Sequence, residues 1–214
     1  MKLINYDKDI SMLMTNKWPS WYRGDPSADH NVVLGQILND IASFNTGLGI
    51  TYSHNILNQP STMETPALEN ESGHRAPDTE LAMPCTFQSI RLHRVTRNTG
   101  KFSIMIFAGT VGPASSTSLK KLSGYLAAHP GLASHEAIAW ITVPALAGCS
   151  TYETVGMDPF GDTYYDRDGS THSRYEIPDE GGVVVIRPDG IVAFRCAIDG
   201  EQIRNYFGKV LCNV

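Results

Sequence analysis

Three groups of polar side chains in this sequence have types and spacings that could do chemistry. The first is Gly73–Asp78, GHRAPD. His74 could act as a general acid or base near neutral pH. Arg75 could grip a carboxylate or phenolate by a two-point contact, and Asp78 could orient either one. The same residues could equally tie an extended segment to a core, as a structural latch. The second group is Tyr52 and His54, in TYSHN. Two residues apart, they share a face if the segment is a strand, and a phenol beside an imidazole could shuttle a proton on an aromatic or enol substrate. An ordinary strand with one exposed edge explains them as well. The third group is Asp162, Tyr164, Tyr165, Asp166, Asp168, His172, Arg174 and Tyr175. Aromatic faces stack and phenols donate hydrogen bonds, so this density suits a lid over a planar ligand.

Other chemistries find less support. Asp162, Asp166 and Asp168 bring calcium to mind, but the EF-hand order of ligands and its closing glutamate are missing. Cys149 lies at a strand exit with no nearby base to lower its pKa, and Cys196 continues a strand into the core. His93, His129 and His135 fall at element ends, where capping or solvation accounts for them. Nothing matches G-x-S-x-G, H-E-x-x-H or a P-loop. No metal and no cofactor is expected.

These side chains must be held by elements that the rest of the chain supplies. The 214 residues suffice for one domain, or for one domain with an arm. A chain of this size buries roughly 70% of its unfolded surface and needs no disulfide or metal to fold. The net charge of −5 argues against nucleic acid or an anionic membrane as partner. No run is apolar enough to span a bilayer, and the first residues, MKLINYDKDISMLM, carry too many charges for a secretory signal. The four cysteines form no CxxC. A cytoplasmic, reduced protein is expected.

The most informative stretch is Gly181–Phe194, GGVVVIRPDGIVAF. A β-branched run, a Pro-Asp-Gly turn and a second extended run read as a hairpin, with Asp189 bonding the local backbone. Ile203, Tyr206, Phe207 and Val210 then recur at helical spacing. Upstream, Ser89–Val95, Phe102–Phe107 and Glu136–Val143 read as strands. Ser118–Ala128 reads as a helix capped near Thr117 and Ser118. This β-α-β, β-β-α order is the thioredoxin arrangement. The fold class expected is α/β: a thioredoxin-like sheet flanked by helices and lacking CxxC, preceded by a helical and extended N-terminal arm. Residues 1–55 form the arm, with Leu34, Ile37, Leu38 and Ile41 on one helical face and Asn31 at its cap. Phe44–Tyr52 reads as a bend or a close backbone approach. Residues 56–84 are an extended connector, and 85–214 the thioredoxin-like domain. Gly148–Glu180 is a long polar and aromatic loop within it.

Several stretches, in order, resemble the C-terminal part of the FAD-dependent phenol hydroxylases, a family of aromatic-ring monooxygenases. They are Lys2–Asp7 with Ser11, Phe44–Tyr52, Gly73–Asp78 (G-x-R-x-P), Gly100–Gly109, and Tyr175 with Gly182–Gly190. The resemblance implies a thioredoxin-like domain that packs on a flavin module and contributes to subunit contacts, hence a homodimer. The family's G-x-G-x-x-G unit and later Gly-Asp motif do not occur here, so no flavin site is expected and ring hydroxylation by this chain alone is not. The reading that follows is a stand-alone relative acting as a cofactor-free tailoring enzyme. It would move protons on a small aromatic or polyketide-like molecule, in isomerisation, cyclisation or lyase-type chemistry. His74, His54, Tyr52 and Tyr175 would be catalytic, and Arg75, Asp78, Tyr164, Tyr165 and His172 would bind substrate. The alternative is a non-catalytic dimerisation or accessory module of a flavin monooxygenase, or a fragment of one.

Overall fold

The computed structural model describes residues 2–25, 27–46, 49–63, 71–109, 113–145 and 156–212. The chain divides into two compact units, Met1–Ile50 and Thr51–Val214.

The first unit is a pair of helices, α1 (Lys2–Met14) and α2 (His30–Asn45), packed on each other. Leu13 and Ile37 are buried apolar residues among those described in its helices. At the end of α1, Asn16 takes a left-handed φ of 55°. The Lys17 N–H then reaches back to the Met12 carbonyl at 2.8 Å, so the exposed helix end is closed by the chain itself. The cap of α2 is Asp29 and not Asn31: the Asp29 carboxylate accepts the Asn31 N–H at 2.8 Å. On the expected apolar face Ile37 is buried but Leu38 is exposed. Trp18 stacks between Tyr22 at 4.1 Å and His30 at 3.9 Å. The bend expected at Phe44–Tyr52 includes Gly47 and Leu48, which lie outside the described residues.

The second unit is built on a five-stranded sheet of order β5-β4-β3-β6-β7. Its strands are β3 (Phe102–Phe107), β4 (Ile138–Val143), β5 (Asp162–Thr163), β6 (Gly182–Ile186) and β7 (Val192–Cys196). β4 runs parallel to β3 and β5; β6 runs antiparallel to β3 and β7. Side chains alternate across the central strands because the pleat has period two. Ile104, Ile106, Val183 and Val185 face one core, closed by α4 (Pro113–Ala128) and α7 (Gly200–Val210) through Leu119, Leu122, Ile203 and Phe207. Met105, Phe107, Val184 and Ile186 face the other, with Ala76, Leu81, Leu92 and Tyr175. Both faces of these strands are therefore covered, which explains why FSIMIF and GVVVI read as continuous apolar runs rather than alternating ones. Each fully buried Val or Ile contributes about 1.5–3 kcal/mol.

The second face is covered by a small hairpin, β1 (Glu80–Ala82) with β2 (Ser89–Arg91), and by the one-turn helix α3 (Leu92–Val95). The strand expected over Ser89–Val95 thus stops at Arg91. The reason is tertiary: the Asp78 carboxylate accepts the His93 N–H at 3.0 Å and the Arg91 Nε–H at 2.9 Å, turning the chain into a helix. The helix expected from Ser118 begins at Pro113, where a proline supplies a preset φ and lacks an N–H that would have no partner. A one-turn helix, α5 (Pro130–Ala133), precedes β4.

Within the stretch 56–84, read as a connector, residues 59–62 and 73–76 lie along β7 as an irregular edge. Gln59 N–H bonds the Ala193 carbonyl at 3.0 Å and Thr62 N–H the Arg195 carbonyl at 3.0 Å. Gly73 N–H and the His74 carbonyl pair with Val192, each at 2.8 Å, and Ala76 N–H reaches the Gly190 carbonyl at 2.9 Å. The open groups of an edge strand are thereby satisfied. The β6–β7 turn closes as expected, with Gly190 at φ +81°, but Asp189 takes the Arg187 guanidinium at 2.5 Å rather than local backbone. The loop Gly148–Glu180 is partly regular where described: besides β5 it holds α6 (Ser170–Arg174).

Candidate functional site

The segment Glu71–Arg91 is where sequence chemistry and structure meet. Its centre is Tyr175, whose ring is fully buried against Phe107 at 5.3 Å. The Tyr175 hydroxyl donates to the Pro77 carbonyl at 2.8 Å. Its own carbonyl accepts from Arg195, a fully buried guanidinium on β7. Burial pushes the Tyr175 phenol far above its ordinary value, with the Asp78 charge adding to the effect. Burial also lowers the Arg195 pKa. In this structure the phenol, expected to be catalytic, is a buried hydrogen-bond donor to backbone.

One residue beyond Pro77, Asp78 is the hub of a second set of bonds. Burial raises its pKa, but the His93 N–H and the Arg91 guanidinium outweigh that and hold it below the usual carboxylate range. The His93 Nε2 lies 2.8 Å from the Ala76 carbonyl. A carbonyl only accepts, so Nε2 carries the proton and Nδ1 is turned toward Asp78 at 3.9 Å. Asp78, expected to bind substrate, accepts bonds from Arg91 and His93 in this structure. His93 is a positioning residue that sequence reasoning left at an element end.

Tyr52, His54 and His74 are brought to one neighbourhood by backbone pairing. Tyr52 N–H bonds the Gly73 carbonyl at 2.9 Å. Gly73 has φ +93°, and a Cβ there would lie 2.0 Å from the Tyr52 carbonyl oxygen. Glycine is required at this crossing. The Arg187 guanidinium sits over the exposed Tyr52 ring at 5.2 Å, a cation–π contact. His54 Nε2 faces Glu71 at 4.0 Å, both exposed. His74 is partly buried, and its Nδ1 has no hydrogen-bond partner. Arg75 pairs by backbone with Ile191 and extends its guanidinium into a cleft beside the β6–β7 turn.

The third group, expected as a lid, packs partly inward where it is described. Tyr165 is buried, pairs by backbone with Ala82 at 2.8 and 2.9 Å, and packs on Phe87. Tyr164 is partly buried, and burial followed by the Asp162 charge raises its pKa. His172 is buried edge-on to Phe107, with Nδ1 and the backbone N–H each 2.7 Å from Asp166. That pair anchors α6, and Thr171 adds a bond to the Glu80 carbonyl. The aromatic residues turn inward because this segment pairs with the β1–β2 hairpin and completes the second face of the sheet.

Among the described residues no three His, Cys, Asp or Glu side chains gather as a metal site, and no helix is long and apolar enough to cross a membrane. Cys85, Cys196 and Cys212 are free thiols; Cys149 lies outside the described residues. Burial pushes the Cys196 thiol far up, so it is inert. Arg195 is the residue that sequence reasoning missed. Its signal was a cation within the apolar run VAFRC, which on a strand covered on both faces must find buried partners.

Comparison with known proteins follows the same lines. Residues 143–214 match the family described as phenol hydroxylase, C-terminal dimerisation domain. No curated protein matches the chain. Among solved structures, the flavin-dependent monooxygenase PieE, in complex with FAD and substrate, aligns with a TM-score of 0.60 at 15% identity. The alignment covers 99% of this chain and 37% of that one, so this chain spans well under half of that enzyme's length. A protein described as a thiol-disulfide oxidoreductase from Bacteroides vulgatus aligns with a TM-score of 0.51 at 14% identity, covering 68% of this chain and 100% of its own. The C-terminal domain of another so described, from Bacteroides thetaiotaomicron, gives 0.50 at 12% identity, covering 66% and 97%. The fold is thioredoxin-like, and the resemblance to the C-terminal part of the phenol hydroxylases stands.

Proposed function

We propose that this chain is a non-catalytic thioredoxin-like module that serves dimerisation of, or docking onto, an FAD-dependent aromatic monooxygenase. One observation carries the reading: three of the polar residues that could have formed an active site, Tyr175, Asp78 and His172, are engaged in bonds that hold the chain to its own fold. Tyr175 bonds Pro77, Asp78 bonds Arg91 and His93, and Asp166 bonds His172. The arrangement is the latch that the G-x-R-x-P stretch left open, and it supports a role in presenting a surface rather than in turnover. The match of the C-terminal third to a dimerisation domain supports the same role.

The test is the state of the purified protein. Light scattering should give twice the chain mass, or the protein should form a stable complex when mixed with a flavin monooxygenase of this family. It should show no turnover of phenols or polyketide-like aromatics without such a partner. Multiple turnover by the isolated chain, lost in His54→Ala or His74→Ala with folding intact, would overturn the proposal in favour of cofactor-free acid–base catalysis.

A further inference from the structure

The latch leaves two cations without a counter-ion. Arg75 and Arg97 line one cleft of about 200 Å³ between the β6–β7 turn and the loop that joins α3 to β3, together with His93, Asn98, Asp189 and Gly190. Neither guanidinium has a side-chain hydrogen bond or ion pair among the described residues. The Arg75 Nε–H is buried and has no partner at all. Buried donors are nearly always matched, so an unmatched one asks for a ligand.

The carboxylates near the cleft are already taken. Asp189 is held by Arg187 at 2.5 Å, and Asp78 by Arg91 at 2.9 Å and the His93 N–H at 3.0 Å. His93 directs its Nε2 proton to the Ala76 carbonyl. The cleft therefore holds two uncompensated positive charges in a chain whose net charge is −5. Asn98 uses its side-chain oxygen to accept the Gly100 N–H at 3.1 Å, which leaves its amide N–H groups as further donors.

The walls are rigid. Arg75 is fixed by backbone pairing to Ile191, and its neighbour Ala76 bonds the Gly190 carbonyl at 2.9 Å. The turn itself is closed by Arg187 N–H to the Ile191 carbonyl at 2.8 Å and Gly190 N–H to the Arg187 carbonyl at 2.9 Å. Thr96, which leads into Arg97, is buried and bonds back to Leu92 through both its N–H and its hydroxyl. Two forked donors on fixed backbone suit a planar or tetrahedral oxyanion. The volume is below the roughly 300–1,000 Å³ of sites for drug-sized ligands, and no Phe, Tyr or Trp is among its described lining residues.

We propose that this cleft is a binding site for a small oxyanion, a carboxylate or a phosphate, gripped by Arg75 and Arg97. The proposal is independent of the module's docking role, because the described lining of the cleft comes from Arg75, residues 93–98 and the β6–β7 turn of one chain.

Calorimetric titration with inorganic phosphate and with benzoate, at constant ionic strength against chloride, tests it. Saturable 1:1 binding of at least one probe is expected, and which probe binds distinguishes a phosphate from a carboxylate ligand. Arg97→Gln, at an exposed position, should bind about tenfold more weakly, the loss of roughly one charge-assisted pair. Arg75→Gln with Arg97→Gln should not bind, while circular dichroism stays native. In the unmutated protein the Arg75 Nε–H resonance should shift on addition of the same probe. No saturable binding of either probe, equal affinity in Arg97→Gln, or an unmoved Arg75 resonance at saturation overturns the proposal.

Discussion

Tyr175→Phe separates the latch from catalysis more cleanly than any other change. The substitution removes one oxygen and leaves the ring in place against Phe107. What is lost is the bond to the Pro77 carbonyl at 2.8 Å. A buried hydrogen bond contributes about 0.5–1.5 kcal/mol, and an abandoned buried acceptor costs about 1–3 kcal/mol more. Pro77 is partly exposed, so water can reach part of the orphaned carbonyl, and the expected cost is about 1–2 kcal/mol. For a chain of this size that lowers Tm by about 2–8 °C. Urea unfolding followed by circular dichroism should show a lower midpoint with an unchanged slope. The pH dependence provides a second reading. Burial raises the phenol's pKa in the folded protein, while in the unfolded chain it ionises near 10. Its contribution is fully present below about pH 10 and declines as pH rises toward the higher folded value. The variant should therefore lose stability less steeply above pH 10, with a residual slope from Tyr206, whose pKa burial also raises. If Tyr175→Phe unfolds at the same midpoint as the unmutated protein, the latch reasoning fails.

Other expectations follow from the same geometry. Asp78→Asn should lower stability above about pH 4 and flatten its fall in acid, where the two proteins converge. The depressed folded pKa means that the unfolded state binds the proton more readily, so this contribution is present above about pH 4 and lost as pH falls through the lower folded value. Acid titration of unfolding in the two proteins checks it. Gly73→Ala forces a Cβ against the Tyr52 carbonyl at a φ that alanine rarely adopts. It should cost more than about 1 kcal/mol, read as a drop in urea midpoint. Asp199→Ala removes the cap that accepts the Glu201 N–H at 2.8 Å; a loss of about 1 kcal/mol should appear in the same assay. Tyr52→Phe, at an exposed ring, should leave stability within about 0.5 kcal/mol.

The sheet was legible because its strands are covered on both faces. Such strands become continuous β-branched runs, and Phe102–Phe107 and Gly182–Ile186 carry that mark whatever surrounds them. The last helix was legible for a related reason: Ile203, Tyr206 and Phe207 form one buried stripe at helical spacing. Where the reading slipped, the deciding partner was far away in sequence. Leu92–Val95 carries no strong helical signal of its own, and its first turn exists because Asp78 reaches the His93 N–H. Asp29 and Asn31 are equally good capping types, and only the backbone geometry chooses between them.

The candidate site failed to be legible for a deeper reason. A tyrosine, an arginine, an aspartate and a histidine are the residue types that build an active site, and they are also the types that satisfy a backbone segment laid across a sheet. Their sequence spacing is the same in both cases; burial and partners tell them apart. Tyr175 is fully buried and directed at a main-chain carbonyl, and the Asp78 carboxylate accepts from Arg91 and the His93 N–H of its own fold. Arg75 has the opposite profile, with a buried donor, no partner and an open cleft before it. Of the Gly73–Asp78 residues chosen from sequence for chemistry, Arg75 combines an unmatched donor with room for a ligand. Function in this segment is thus read from what its structural bonds leave over.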